Sequence, residues 1–296
     1  MRRLLCTLLL ALLLTAAPAT HAQPELPPPE RSAYDDDLPA QQMLAIYLPQ
    51  DSAPPYPTVI TIHGGGFFGG DLRTLAPLVR RLQTAGYAVV NITYRLVPET
   101  LYPAQVEDAF CALAWVSANA AVYGIDPERV TVLGESAGGY LAALLASVDD
   151  PAPFLTGCPQ MDAPPLVPTA AVLYYPIIDF TEDDFQPIGA ALGAGLLEGR
   201  RGGFLTPELR DSLAAISALG AVDGAEPPFL LIHGERDRLV PPSQSALMLD
   251  RLRESGVSAG LTTIADADHG FAAWVGSDAG AEALAAVLRF LDSMQS

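Results

Sequence analysis

The run Gly134-Glu135-Ser136-Ala137-Gly138 constrains this chain more than any other stretch. It fits the pattern G-x-S-x-G, and its flanks decide what the pattern means. Arg129–Leu133 before it is short, β-branched and apolar, as a buried strand is. Gly139–Ala146 after it is rich in helix formers. A strand that turns at once into a helix holds its serine in a strained, exposed position, and small neighbours let backbone and substrate approach. The pentapeptide alone is weak, because many Gly-rich turns contain a serine. The strand–helix context makes Ser136 the candidate nucleophile.

The rest of the chain repeats the alternation. Met43–Leu48, Thr58–Ile62, Tyr87–Thr93, Ala170–Tyr175, Pro228–Ile232 and Ser258–Ile264 read as strands. Leu72–Thr84, Pro103–Tyr123, Ser243–Ser255 and Ala279–Ser293 read as helices; in the second, Val106, Phe110, Leu113 and Val116 recur every three or four residues. Such alternation predicts an α/β fold: right-handed crossovers, a mostly parallel sheet flanked by helices, and the first strands antiparallel at one edge. Residues 23–40, rich in Pro and Asp, read as an extended entry segment, and residues 41–296 as one domain. Residues 179–220 break the alternation, being Gly-rich in the middle and helical near Pro207–Leu219. They are expected as a cap-like insertion over the carboxyl ends of the strands, where α/β sheets bind ligands. A surface excursion away from the site is the alternative.

The first 22 residues have a different character. Arg2-Arg3 is a basic start, Leu4–Leu14 a short apolar core, and Thr20-His21-Ala22 supplies small residues for cleavage. This predicts a signal peptide and a secreted or periplasmic product. The apolar stretch is short for an uncleaved membrane anchor. Cys6 leaves with the leader, so Cys111 and Cys158 remain as an even pair in an oxidising compartment and are expected to form a disulfide rather than stay as two buried thiols. The net charge is −18, and every basic residue is arginine. Such a surface disfavours nucleic acid and anionic lipid. There is no P-loop and no dinucleotide fingerprint, and two cysteines without a neighbouring histidine do not make a zinc site, so no cofactor or metal is expected. Oligomeric state is not legible.

A serine hydroxyl needs a base. Three histidines remain after the leader. His63 opens a glycine run, and His233 ends an apolar strand, where a structural role fits it. His269, in Asp266-Ala267-Asp268-His269-Gly270-Phe271, follows the last strand and can lean over the serine, so it is the candidate base. The third member must be a carboxylate that accepts the other imidazole N–H. Asp237, in His233-Gly234-Glu235-Arg236-Asp237, lies after the serine and before the histidine, with Glu235 as its rival. Asp266 and Asp268 sit too close to His269 in sequence and suit a turn better. A developing oxyanion needs fixed N–H donors. Gly65 and Gly66 of His63-Gly64-Gly65-Gly66, with Ala137 at the start of the elbow helix, are the expected set. His63 is expected to hold this loop, and Glu135 to make local hydrogen bonds. Phe67 and Phe68 follow the glycines and are candidate acyl-pocket walls, whereas Tyr140, Tyr174 and Phe271 suit a core.

These residues resemble an α/β-hydrolase of the HGGG-bearing esterase and lipase group, nearest its exported carbohydrate-esterase branch of feruloyl and acetyl-xylan esterases. Further segments carry the likeness: Tyr94-Arg95-Leu96, Pro103-Ala104-Gln105 with Glu107-Asp108, Tyr123–Pro127, Pro241-Pro242-Ser243-Gln244 and Asp268–Phe271. The likeness runs from about Leu44 to the C-terminus, and residues 179–220 fall outside its pattern. It implies cofactor-free hydrolysis of a small-molecule or carbohydrate ester through an acyl-enzyme. An amidase, formamidase or peptidase using the same triad is the alternative chemistry. A non-catalytic binding protein on a hydrolase fold is the alternative class.

Overall fold

The computed structural model describes residues 29–35 and 41–295, apart from residues 161 and 201. The expected leader lies outside these residues, as does most of the entry segment. The described part of that segment contains an edge strand, β1 (Glu30–Ala33). The strands that follow are β2 (Met43–Tyr47), β3 (Tyr56–Ile62), β4 (Ala88–Ile92), β5 (Ile125–Glu135), β6 (Ala170–Tyr174), β7 (Phe229–Gly234) and β8 (Ala259–Ile264). The helices are α1 (Ala76–Thr84), α2 (Ala104–Tyr123), α3 (Ala137–Ser147), α4 (Ile188–Glu198), α5 (Pro207–Ala215), α6 (Ser243–Glu254) and α7 (Asp278–Ser293).

The described residues form one eight-stranded sheet in the order β1-β2-β4-β3-β5-β6-β7-β8. β1 pairs antiparallel with β2, and β2 with β4; every later pairing is parallel. The fold is therefore the mostly parallel α/β sheet that the alternation predicts. Its register sets up the site. Ile62 lies beside Gly134, Gly134 beside Leu173, Leu173 beside Leu231, and Leu231 beside Leu261. With β4, whose Ile92 lies beside Ile62, six parallel strands end along one edge, and the loops leaving them gather there.

Alternate side chains of each strand feed two cores. Ile60, Ile62, Val90, Ile92 and Leu231 pack with α2, α3 and α6 on one face. Val59, Val89, Leu230 and Ile232 pack with α1 and α7 on the other. Every residue of α3 is buried, from Ala137 to Ser147. A helix buried all round has no polar face, which is why composition rather than periodicity marks it in the sequence. Cys111 of α2 and Cys158, in the loop between α3 and β6, stand at disulfide distance with their Cα atoms 5.5 Å apart.

Two local expectations need correction. The helix expected from Leu72 begins at Ala76, because Pro77 fixes φ and lacks an N–H, which suits a helix's first turn and not its middle. The Gly-rich middle of residues 179–220 forms α4, an eleven-residue helix. Its glycines serve packing: a Cβ on Gly189 would stand 2.3 Å from Phe180 O, one on Gly193 2.3 Å from Leu213 Cδ2, and one on Gly195 2.3 Å from Phe68 Cζ. Tertiary approach therefore outweighs the roughly 1 kcal/mol that each glycine costs in helix propensity.

His63, directly after β3, is completely buried and stacks on Tyr94 with ring centroids 4.5 Å apart. Its Nδ1 hydrogen-bonds Gly64 O at 2.7 Å, and Tyr94 Oη donates to His63 O at 3.0 Å, so the ring pins the turn. Burial pushes the His63 imidazole down to about 4, against the opposing pull of the Gly64 bond and the Asp71 charge. An unfolded histidine titrates near about 6.5, so between the two values the unfolded chain binds more protons and stability rises with pH. Acidification from about pH 6.5 to about pH 4 should therefore remove roughly 3 kcal/mol through this residue. Urea midpoints of wild type and His63→Gln across that window read the effect. The wild-type curve should fall more steeply, and parallel curves would exclude it.

Candidate active site

Ser136 caps α3 at φ 53°, ψ −118°, a positive-φ conformation rare for a side-chain-bearing residue. Its backbone is held on both sides: Ser136 N donates to Tyr174 O at 2.9 Å, and Ser136 O accepts from Tyr140 N at 3.1 Å and Ile177 N at 3.3 Å. The turn points Oγ out of the sheet edge towards the loop after β8.

That loop brings His269 over the serine. His269 Nε2 lies 3.0 Å from Ser136 Oγ, and Nδ1 lies 2.7 Å from Asp237 Oδ2. A carboxylate only accepts, so the shared proton sits on Nδ1, leaving an Nε2 lone pair facing the serine hydroxyl. The structure thus brings Ser136, His269 and Asp237 into one hydrogen-bonded line. Glu235, the rival acid, is exposed on the surface. Asp268 braces the turn, accepting from His269 N at 2.9 Å and pairing with Arg238, while Asp266 pairs with Arg236.

Asp237 is surrounded by donors. Oδ1 accepts from Leu239 N and Val240 N, each at 2.9 Å, and Oδ2 also lies 3.5 Å from His233 Nε2. Burial opposes its ionisation, but the His233 and His269 hydrogen bonds, the His269 charge and the Val240 N–H outweigh it and hold the carboxyl well below the usual range. His233, completely buried, makes a 2.9 Å contact from Nε2 to Val240 O and a 2.7 Å contact from Nδ1 to Ser245 Oγ. Val240 O can only accept, so the His233 proton sits on Nε2. The strand-ending apolar context marks a structural histidine, but no sequence signal marks Ser245 as its partner.

The glycine run lies against the elbow. Gly65 has φ +105°, and a Cβ there would stand 2.1 Å from Gly69 O, so only glycine fits the turn. Gly64 N donates to Glu135 Oε1 at 3.2 Å, giving the motif's glutamate a local hydrogen-bonding role. Gly65 and Gly66 follow directly, and Ala137 is the first residue of α3, whose N–H has no intrahelical acceptor.

The two phenylalanines part company. Phe67 is completely buried, its ring edge-on to Tyr140 at 5.8 Å and 6.2 Å from Phe180, so it belongs to the core and does not wall a pocket. Its backbone holds a positive φ of 68°. Phe68 is half-buried beneath α4. Tyr140, Tyr174 and Phe271 are buried, as core aromatics are. Leu101, Phe204, Leu239 and Trp274, in loops that follow β4, β6, β7 and β8, are exposed. Among the described residues no group of three His, Cys, Asp or Glu is placed to hold a metal, and no helix is long and apolar enough to cross a membrane.

A family profile described as BD-FAE matches residues 44–252. The chain is 33% identical over 262 residues to esterase LipQ of Mycobacterium tuberculosis, which covers 84% of this chain and 60% of LipQ; it thus spans about three fifths of that relative's length. In three dimensions it resembles a truncated carbohydrate esterase from gut microbiota, at TM-score 0.76 and 23% identity over 90% of this chain and 96% of that one. It also resembles an acetyl ester-xyloside bifunctional hydrolase from Caldicellulosiruptor lactoaceticus, at TM-score 0.71 and 26% identity over 86% of this chain and 88% of that one. The profile match covers well over half of the sequence and contains the glycine run, the elbow and Asp237, and the chain belongs to the BD-FAE family on the α/β-hydrolase fold.

Proposed function

We propose that this chain is an exported serine carboxylesterase that hydrolyses small-molecule or carbohydrate esters. The observation that carries the reading is the line Ser136–His269–Asp237, with links of 3.0 and 2.7 Å. In the proposed reaction His269 Nε2 takes the Ser136 proton as Oγ attacks the ester carbonyl. Asp237 stabilises the imidazolium, and the N–H groups of Gly65, Gly66 and Ala137 hold the oxyanion. The imidazolium then protonates the leaving alcohol, leaving an acyl-enzyme. Water deprotonated by His269 attacks that ester, and collapse of the second tetrahedral species returns the proton to Ser136. No step calls on a cofactor.

The names of the relatives support ester chemistry: LipQ is called an esterase, and the Caldicellulosiruptor protein an acetyl ester-xyloside hydrolase. Residues 179–220 act in this reading as a cap, which the seating of α4 on Phe68 supports. Export rests on the leader at residues 1–22 and is supported by the Cys111–Cys158 pair.

Turnover of p-nitrophenyl esters of increasing acyl length, methyl ferulate and acetylated xylan, beside the matching p-nitroanilides, tests the reading and its substrate class. Ester turnover should exceed amide turnover; the reverse would make the chain an amidase. Ser136→Ala should lose about four to six orders of magnitude in kcat and all labelling by a fluorophosphonate. Wild-type protein that neither hydrolyses these esters nor takes the label would point to a binding role.

Gly65→Ala tests the oxyanion loop. Its Cβ cannot fit the turn, so the donors should be displaced and kcat should fall about 100- to 1000-fold, with a smaller change in KM. An unchanged kcat would remove Gly65 from the set.

A further inference from the structure

Tyr175 follows β6 on the sheet edge where the candidate triad gathers. It is completely buried, yet it has φ 35°, in the left-handed region that favours glycine. Its N–H donates to Ile232 O at 2.7 Å, which holds the backbone there. The ring lies 4.5 Å from the His269 imidazole and 4.9 Å from Phe271. It is therefore a floor for the base.

The hydroxyl adds what a phenylalanine could not. It donates to Glu135 Oε2 at 2.6 Å and accepts from Ala272 N at 3.0 Å. Glu135 Oε1 in turn accepts from Gly64 N. One buried oxygen thus joins the segment that carries His269 to the residue before the nucleophile, and through its carboxylate to the glycine loop. Both Glu135 oxygens accept. Burial holds this carboxyl above its usual range, although the Tyr175 and Gly64 bonds and the His269 charge oppose that rise. Burying such a group is costly unless its partners are fixed, and here each partner belongs to a different loop of the site.

We propose that Tyr175 is a positioning residue of the esterase reaction: its hydroxyl, bridging Glu135 and the Ala272 N–H, locks the His269 loop to the oxyanion loop in one frame. The inference rests on the serine-esterase reading for its kinetic consequence, but the geometric lock can be read without turnover.

Tyr175→Phe removes the bridge and keeps the ring. On p-nitrophenyl acetate its kcat should fall about 10- to 100-fold while KM stays within about 3-fold, since misplacing base and donors weakens the transition state more than binding. The low-field proton resonance of His269 Nδ1–H should shift or broaden in this variant and persist in Ser136→Ala. Glu135→Gln, which cuts the same bridge from the other side, should show a similar kcat loss, and the double variant should be little worse than either single one. A folded Tyr175→Phe with wild-type kcat and an unchanged resonance would overturn the proposal. If that variant does not fold, Glu135→Gln with wild-type kcat and resonance overturns it equally. If the wild type hydrolyses no ester, the esterase reading fails, and the resonance of Tyr175→Phe still decides the lock: perturbed supports it, unchanged refutes it.

Discussion

Ser136 holds a backbone conformation that isolated residues avoid, and the surrounding structure is arranged to enforce it. A strained φ of this kind costs on the order of 1–3 kcal/mol and persists only when its neighbours over-determine it. Here β5 on one side and the wholly buried α3 on the other fix the two ends of the turn, while Tyr174 O, Tyr140 N and Ile177 N hold the serine's own amide and carbonyl. The parallel register then does the rest: because β4, β3, β6, β7 and β8 run in register with β5, each contributes a loop to the same edge. Strain at one residue and alignment of six strands are therefore one design seen at two scales.

Much of this was legible in the sequence because the chemistry needs rare combinations. Few histidines, one glycine run and a serine between a β-branched strand and a helix leave little freedom, and the structure brings Ser136, His269 and Asp237 within hydrogen-bond reach in the expected chain order. The central strands were readable because both of their faces are buried, so each is a short, continuous apolar run. What escaped depends on tertiary contact. α4 was missed because its glycines look like loop formers until Phe180, Leu213 and Phe68 are seen to demand them. Phe67 is a candidate pocket wall by its adjacency to the glycines, but adjacency does not say which way a side chain faces, and the ring lies in the core. Tyr175 and Ser245 carry no local signal; their importance lies in partners about 100 and 12 residues away, at Ala272 and His233.

The electrostatics of the site follow from where protons can sit. Val240 O and Asp237 Oδ2 accept only, so the nearer nitrogens of His233 and His269 are donors, and both rings are orientationally defined by oxygens. Asp237 bonds the imidazole directly and Glu135 bonds Tyr175, on which the imidazole rests, and burial opposes the charge of both. Asp237 overcomes that penalty through the number of its donors. Such sites are rigid because loosening any one donor exposes the cost that the others were offsetting.

The glycines of α4 carry a consequence for how such a protein can diverge. A methyl group on Gly189 would meet the backbone oxygen of Phe180, whereas on Gly193 or Gly195 it would meet the side-chain ends of Leu213 or Phe68. Gradual change in this segment is therefore closed off at Gly189, where the obstacle is backbone, and depends at Gly193 and Gly195 on whether Leu213 and Phe68 move aside. Phe68 is different, because its ring can be shortened without forcing any backbone apart. Change in this part of the fold can proceed by trimming the loop residue beneath the helix while the helix itself stays where it is.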